Sequence, residues 1–205
     1  MKIADGYLPD DGGMNRVGGV ADKMFDAAGG DHRAVSDFIT GHNMDATVTP
    51  GSKYDTDDHL LSVLNHQWDP NQHGAENLFK WTGGPEASDP DPLIRARARE
   101  TADSLAHFLV RHEDTLALNL PGHGTDSLGK VNPGVTQALS EAMRPYLGNF
   151  VNAPGEMLIN QSAQPFERVS DLTKLFNILD SGPDAAKTIN SAGAQWNNYL
   201  AMSRR

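Results

Sequence analysis

At 205 residues the chain can bury roughly two-thirds of its unfolded surface, as one large domain or two small ones. The absence of cysteine removes disulfides, thiol catalysis and thiolate metal sites. Seventeen basic against 27 acidic side chains leave a net charge of −10, which opposes binding to nucleic acid or anionic lipid and points to protein partners.

No apolar run reaches the length of a membrane span, and Met1–Leu8 lacks the basic and apolar regions of a signal peptide. A soluble chain is expected, cytoplasmic or else secreted or envelope-associated without a classical signal peptide. Its last residues, MSRR, end on a helical pattern, as a piece of a larger protein would.

The first dozen residues, with DGYLPDDGG, read as loop. Val17, Val20, Ala21, Met24 and Ala28 then fall at helical spacing, weakened by Gly18 and Gly19 and stopped by Gly29 and Gly30. Asp31 is placed to cap a second helix with Ala34, Val35, Phe38 and Ile39 on one face, before a loop through TVTPGSKYD. Asp55 or Thr56 opens a third helix carrying Leu60, Leu61, Leu64 and Trp68 and ended by Pro70; its acidic first turn suits the helix dipole. A short element with Ala75, Leu78, Phe79 and Trp81 precedes GGPEASDPDP, whose prolines and acids make it the best internal boundary. The division falls near Asp89, giving an N-terminal helical subdomain, 1–88, and a C-terminal helical domain, 89–205.

Asp91 to about Asp114 is the clearest helix, with Ile94, Ala98, Ala102, Leu105, Leu109 and His112 in one stripe and Pro92 in its first turn. Asn132 and Pro133 start another helix, with Val135, Ala138, Leu139, Ala142, Tyr146 and Phe150 at helical period, kinked or divided by Pro145. A hairpin follows: Ser170 as cap, Leu172, Leu175, Phe176 and Leu179 inside, Gly182 as stop, and Pro183 starting a helix with Ala186, Ile189, Ala192, Trp196 and Leu200. The fold class is therefore all-α, an irregular bundle of about eight helices with long loops.

GTDSLGKV, from Gly124 to Val131, is one residue short of a phosphate-binding loop, and LALNL stands where a strand would feed it. Val131 occupies the position of the magnesium-binding hydroxyl, Asp126 places a negative charge inside the nest, and Pro133 removes an amide from the following helix. With no set of buried strands to build a parallel sheet, the stretch reads as a turn between helices, and neither nucleotide nor cofactor is expected.

No HxxxH or HExxH pairs two of the eight histidines on one helical face, and no metal site is expected. GxSxG is absent too. Arg95 and Arg99 lie one turn apart and could grip a carboxylate or phosphate, although pairing with Glu100 and Asp103 competes. Trp68, Trp81 and Trp196 fall on or beside apolar stripes; Trp81, before a glycine turn, is the candidate for an exposed partner contact.

SLGKVNPGVTQALSEAMRPYLGNFVNAP (Ser127–Pro154) and DLTKLFNILDSGPDAAKTINSAGAQWNNYL (Asp171–Leu200) together resemble the helical TPR repeat region of large actinobacterial proteins. Shared features are the glycine turn, the Asn-Pro helix start at Asn132 and Pro133, the Pro-Tyr pair at Pro145 and Tyr146, and the later hairpin. No resemblance is read before Asp89. The resemblance implies an all-helical region associated with type VII (ESX) secretion substrates or polymorphic toxins, and no catalytic residues.

The expected function is a non-catalytic helical scaffold or protein-interaction domain, with Trp81, Arg95 and Arg99 as candidate contacts. The competing classes are a hydrolase using His107, His112, His123 and Asp126, and an antitoxin or immunity-like binder with one clustered acidic face.

Overall fold

The computed structural model describes residues 16–45, 48–49, 52–151, 153 and 166–203. The predicted loop over the first dozen residues, part of TVTPGSKYD and the side chains of Val17 and Leu200 lie outside the described residues. Among those described there is no strand, and eight helices are seven residues or longer. The helices are α1 (Arg16–Gly29), α2 (His32–Thr40), α3 (Thr56–Asn65), α4 (Gly74–Lys80), α5 (Pro92–Arg111), α6 (Glu113–Leu118), α7 (Leu128–Val131), α8 (Pro133–Met143), α9 (Leu147–Phe150), α10 (Val169–Leu179) and α11 (Pro183–Ser203). The chain is all-α, as its periodicities require.

Local chemistry sets most of the boundaries. Asp31 accepts from the amides of Arg33 and Ala34 at the start of α2, Asp55 from Asp58 at the start of α3, and Asp91 from Leu93 at the start of α5. Each carboxylate satisfies an amide that the helix itself leaves open and sits at the positive end of its dipole. Pro92, Pro133 and Pro183 open α5, α8 and α11, where the missing N–H costs nothing. Pro145 divides α8 from α9 through a 3-10 turn at Arg144–Tyr146.

Three sequence readings are corrected. The buried face of α1 carries Ala21, Asp22 and Phe25, while Val20 is 57% exposed and Met24 37%, so the predicted stripe lies to one side of the true one. The large Phe25 ring seats against Trp68 at 5.5 Å, and the Asp22 carboxylate accepts the N–H of Gly74 at 2.6 Å, at the start of α4. These two contacts outweigh two aliphatic side chains. Helix α3 ends at Asn65, before Trp68 and Pro70; Trp68 is buried beyond it, its indole donating to the Val63 carbonyl at 2.9 Å. Helix α10 begins at Val169 with Arg168 as its first flanking residue, and Ser170 is an exposed residue of its first turn.

Helix α8 is the hub, packed against α4 on one side and α11 on the other, with α5, α7 and α10 also touching it. One cluster of buried side chains runs from Ala21 through Phe79, Leu105 and Leu139 to Ala192. Packing therefore crosses Asp89. The closest approach is at Gly83, where a Cβ would fall 1.9 Å from the Glu141 carbonyl oxygen of α8, so only a residue without a side chain fits. At Gly148 the Trp196 ring lies where a Cβ would be, 2.3 Å away.

Asn132 joins the segments chemically. Its side chain is 3% exposed; the amide oxygen accepts the Trp68 N–H at 2.9 Å, and the amide nitrogen donates to the Leu64 and His66 carbonyls at 2.9 and 2.8 Å. The end of α3 is thereby fixed to the start of α8. Replacing Asn132 by Ala leaves two carbonyls and one N–H buried without partners, and should lower unfolding free energy by about 3 kcal/mol. Urea unfolding checks this, with a lower midpoint and unchanged slope as the expected result.

Candidate functional site

The four residues of the hydrolase alternative are engaged separately. His107 is exposed and its Nδ1 donates to the Asp103 carbonyl at 2.8 Å, one turn back on α5. His112, at the end of α5, meets Asp57 of α3 at 2.8 Å through Nε2. His123 donates through Nε2 to the Asn65 carbonyl at 2.8 Å, and Asp126 pairs with Lys130 at 2.6 Å. No hydrogen bond joins the side chains of any two of them among the described residues, and the one backbone bond, from Asp126 N–H to the His123 carbonyl at 3.2 Å, closes the glycine loop.

Asp57, not singled out in the sequence, carries the most developed polar cluster. It accepts from Arg111 Nη2 at 2.7 Å on one oxygen and faces His112 with the other. Burial alone would push its pKa up, but the hydrogen bonds and charges of Arg111 and His112 together hold the carboxyl below its ordinary value. Fifty-four residues separate Asp57 from Arg111, so no local spacing announces the cluster.

Several amides of the glycine loop are already taken up within the protein. Leu120 N–H bonds to the Asp126 carbonyl, His123 N–H to Leu120, Asp126 N–H to His123, and Gly129 N–H to Ser181 Oγ. Gly122 and Gly124 take positive φ, 82° and 66°, to close the loop on itself. LALNL supplies the end of α6 rather than a strand. Lys130 is largely exposed and held by Asp126.

Arg95 bonds to the carbonyls of Asp89 and Pro90, so it ties down the loop in front of α5. Arg99 is half-buried, with Nε closed off and without an acceptor. Trp81 is not an exposed contact: it is 6% exposed and lies under the His32 ring, which stacks on it at 4.6 Å and 10°.

Trp81 nevertheless lines a cleft of about 690 Å³. Its walls come from the end of α1 (Asp26, Gly29), His32 at the start of α2, α4 with the 3-10 turns after it (Lys80, Trp81, Glu86), the end of α8 (Glu141, Arg144) and Thr188 of α11. His32 Nδ1 reaches Glu86 at 3.1 Å, and Asn77 donates to Asp26 at 2.5 Å. Sequence reasoning misses His32, Glu86 and Glu141, because they become neighbours only when α8 packs against α4. The cleft is of ligand-binding size, and its carboxylates, imidazole and indole suit recognition of a polar group. Among the described residues no three His, Asp or Glu side chains are grouped to hold a metal.

Two consequences are measurable. His66, half-buried against Trp68 at 4.5 Å, has its pKa lowered from 6.5 by burial first and then by the charge of His123. The unfolded chain takes up this proton before the folded one does, so His66 adds nothing above pH 6.5 and destabilises the fold as pH falls below it. His66→Gln should therefore show a smaller loss of urea midpoint between about pH 7.5 and pH 5.5 than the parent. Lys130→Ala removes an exposed i,i+4 pair and should shift the melting temperature by no more than about 2 °C, with or without ATP.

A family model described as a TPR repeat domain matches residues 4–81, which takes in α1 to α4 and ends on Trp81. That part of the chain is similar to a helical repeat family. No curated protein and no solved structure matches the chain. The matched stretch lies before Asp89, where no resemblance was read, and not on Ser127–Pro154 or Asp171–Leu200. The helix-start and turn signals quoted there, Asn132-Pro133 and Pro145-Tyr146, are common to helical proteins at large.

Proposed function

We propose that the chain is a non-catalytic helical scaffold that binds a protein partner, of the kind carried by large actinobacterial proteins associated with type VII secretion or polymorphic toxins. The observation that supports this reading is the match of residues 4–81 to a TPR repeat domain, since TPR repeats typically mediate protein–protein contacts. The net charge of −10 steers basic partners toward it and repels phosphate backbones.

The Asp57–His112 pair favours a second reading, because a carboxylate that orients an imidazole is one component of an acid–base catalyst. A hydrolase built on it, drawing on His107, His112, His123 and Asp126, is the alternative.

Cross-linking of the full chain in extract of its source, followed by reconstitution with the purified partner, separates the two. The scaffold reading predicts saturable binding with a Kd of about 10 µM or tighter and no change on His112→Ala. Turnover of an ester, peptide, glycoside or nucleotide panel that His112→Ala abolishes, with no partner bound, would overturn it.

A further inference from the structure

We propose that the cleft between α1, α4 and the end of α8 takes a basic side chain, arginine or lysine, presented by a segment of the partner polypeptide; this rests on the interaction-domain reading above. Three carboxylates line the cleft, and each is only half used. Asp26 accepts from Asn77 at 2.5 Å, Glu86 meets His32 at 3.1 Å and Glu141 accepts from Gln137 at 2.9 Å, all through one oxygen. The second oxygen of each has no bond among the described residues.

Lys80 and Arg144 also line the cleft, both exposed, but among the described residues neither comes within ion-pair distance of a carboxylate, so neither pairs directly with the three. Helix α1 and the 3-10 turn continuing α4 both end at the cleft, at Gly29 and Gly83, and helix C-termini carry partial negative charge. A carboxylate with a vacant oxygen in a partly enclosed site binds a guanidinium or ammonium more strongly than it would in open solvent.

Two further features specify a polypeptide rather than a free amine or a metal ion. The Trp81 side chain is 94% buried (6% exposed), lines the cleft, and its Nε1–H has no acceptor. That N–H is closed off from solvent, so what the cleft offers an incoming chain is the indole ring, an apolar wall for the methylene stem of a basic side chain. Outside it, the His32 ring, with 32% of its side chain exposed, offers a flat surface on which a guanidinium stacks. The volume of about 690 Å³ exceeds what one side chain fills, leaving room for the backbone that bears it.

The test is titration of the full ¹⁵N-labelled chain with capped Gly-Gly-Arg-Gly-Gly, reading the Trp81 indole N–H assigned with Trp81→Phe. Gly-Gly-Gln-Gly-Gly and Gly-Gly-Glu-Gly-Gly serve as controls. Saturable shifts at millimolar peptide are expected, at least about fivefold weaker for the controls and weakened by about 0.5 M salt. Glu141→Gln, which keeps the hydrogen-bonding shape, should raise the Kd roughly tenfold with an unchanged circular dichroism spectrum. No movement of Trp81 up to about 10 mM arginine peptide, equal binding of the glutamine peptide, or an unaltered Kd in Glu141→Gln would each overturn the assignment. If the reconstituted partner still binds in that event, the interaction-domain reading stands and this cleft is not its contact.

Discussion

Asn132 is a buried amide whose three hydrogen bonds join the end of α3 to the start of α8, the hub helix on which the rest of the architecture packs. They reach the Leu64 and His66 carbonyls, which the end of α3 leaves without helical partners, and the Trp68 N–H just beyond it. A neighbouring water could satisfy them, but Asn132 does so from the first residue before α8, and so converts an orphaned helix end into a fixed joint. Because α8 then packs against the 3-10 turn after α4 at the Gly83–Glu141 approach, the joint also sets where the cleft opens.

The polar groups that look chemical in isolation mostly perform this kind of joining. His112 and Arg111 hold α5 to α3 through Asp57, His123 holds the glycine loop to Asn65, and Asp22 holds α1 to α4. Each contact links segments some fifty or more residues apart in the chain, where apolar packing alone would specify the pairing less sharply. The cleft differs from these joints in shape: its carboxylates, Glu86 and Glu141, line a concavity with one oxygen each left without a bond among the described residues.

Helix type and most helix limits were legible in the sequence because they depend on residues within one turn of each boundary: Asp31, Asp55, Pro133, Pro145 and Pro183 act locally. The buried face of α1 was not legible. Val20 and Met24 are as apolar as the true face, and the choice is made by Phe25 meeting Trp68 and by Asp22 meeting Gly74, contacts of long sequence separation. Asn132 was readable as a helix start, and its role as a joint was not, because its partners lie 64 to 68 residues away. The cleft was invisible for the same reason: its walls come from residues between Asp26 and Thr188. GGPEASDPDP has the composition of a linker, yet Ala87 is buried and Gly83 lies against α8, so composition reported a turn-rich stretch that packing then absorbed.

The central claim is that the segments on either side of Asp89 share one cooperative core centred on α8, which holds the cleft in a fixed shape. Native-state hydrogen exchange reads this directly, by comparing the slowest amides of α4, at Leu78 and Phe79, with those of α8, at Leu139 and Ala142. The account predicts a single opening free energy for both sets, equal to the global unfolding value. Exchange of the α4 amides through an opening that leaves α8 protected would contradict it.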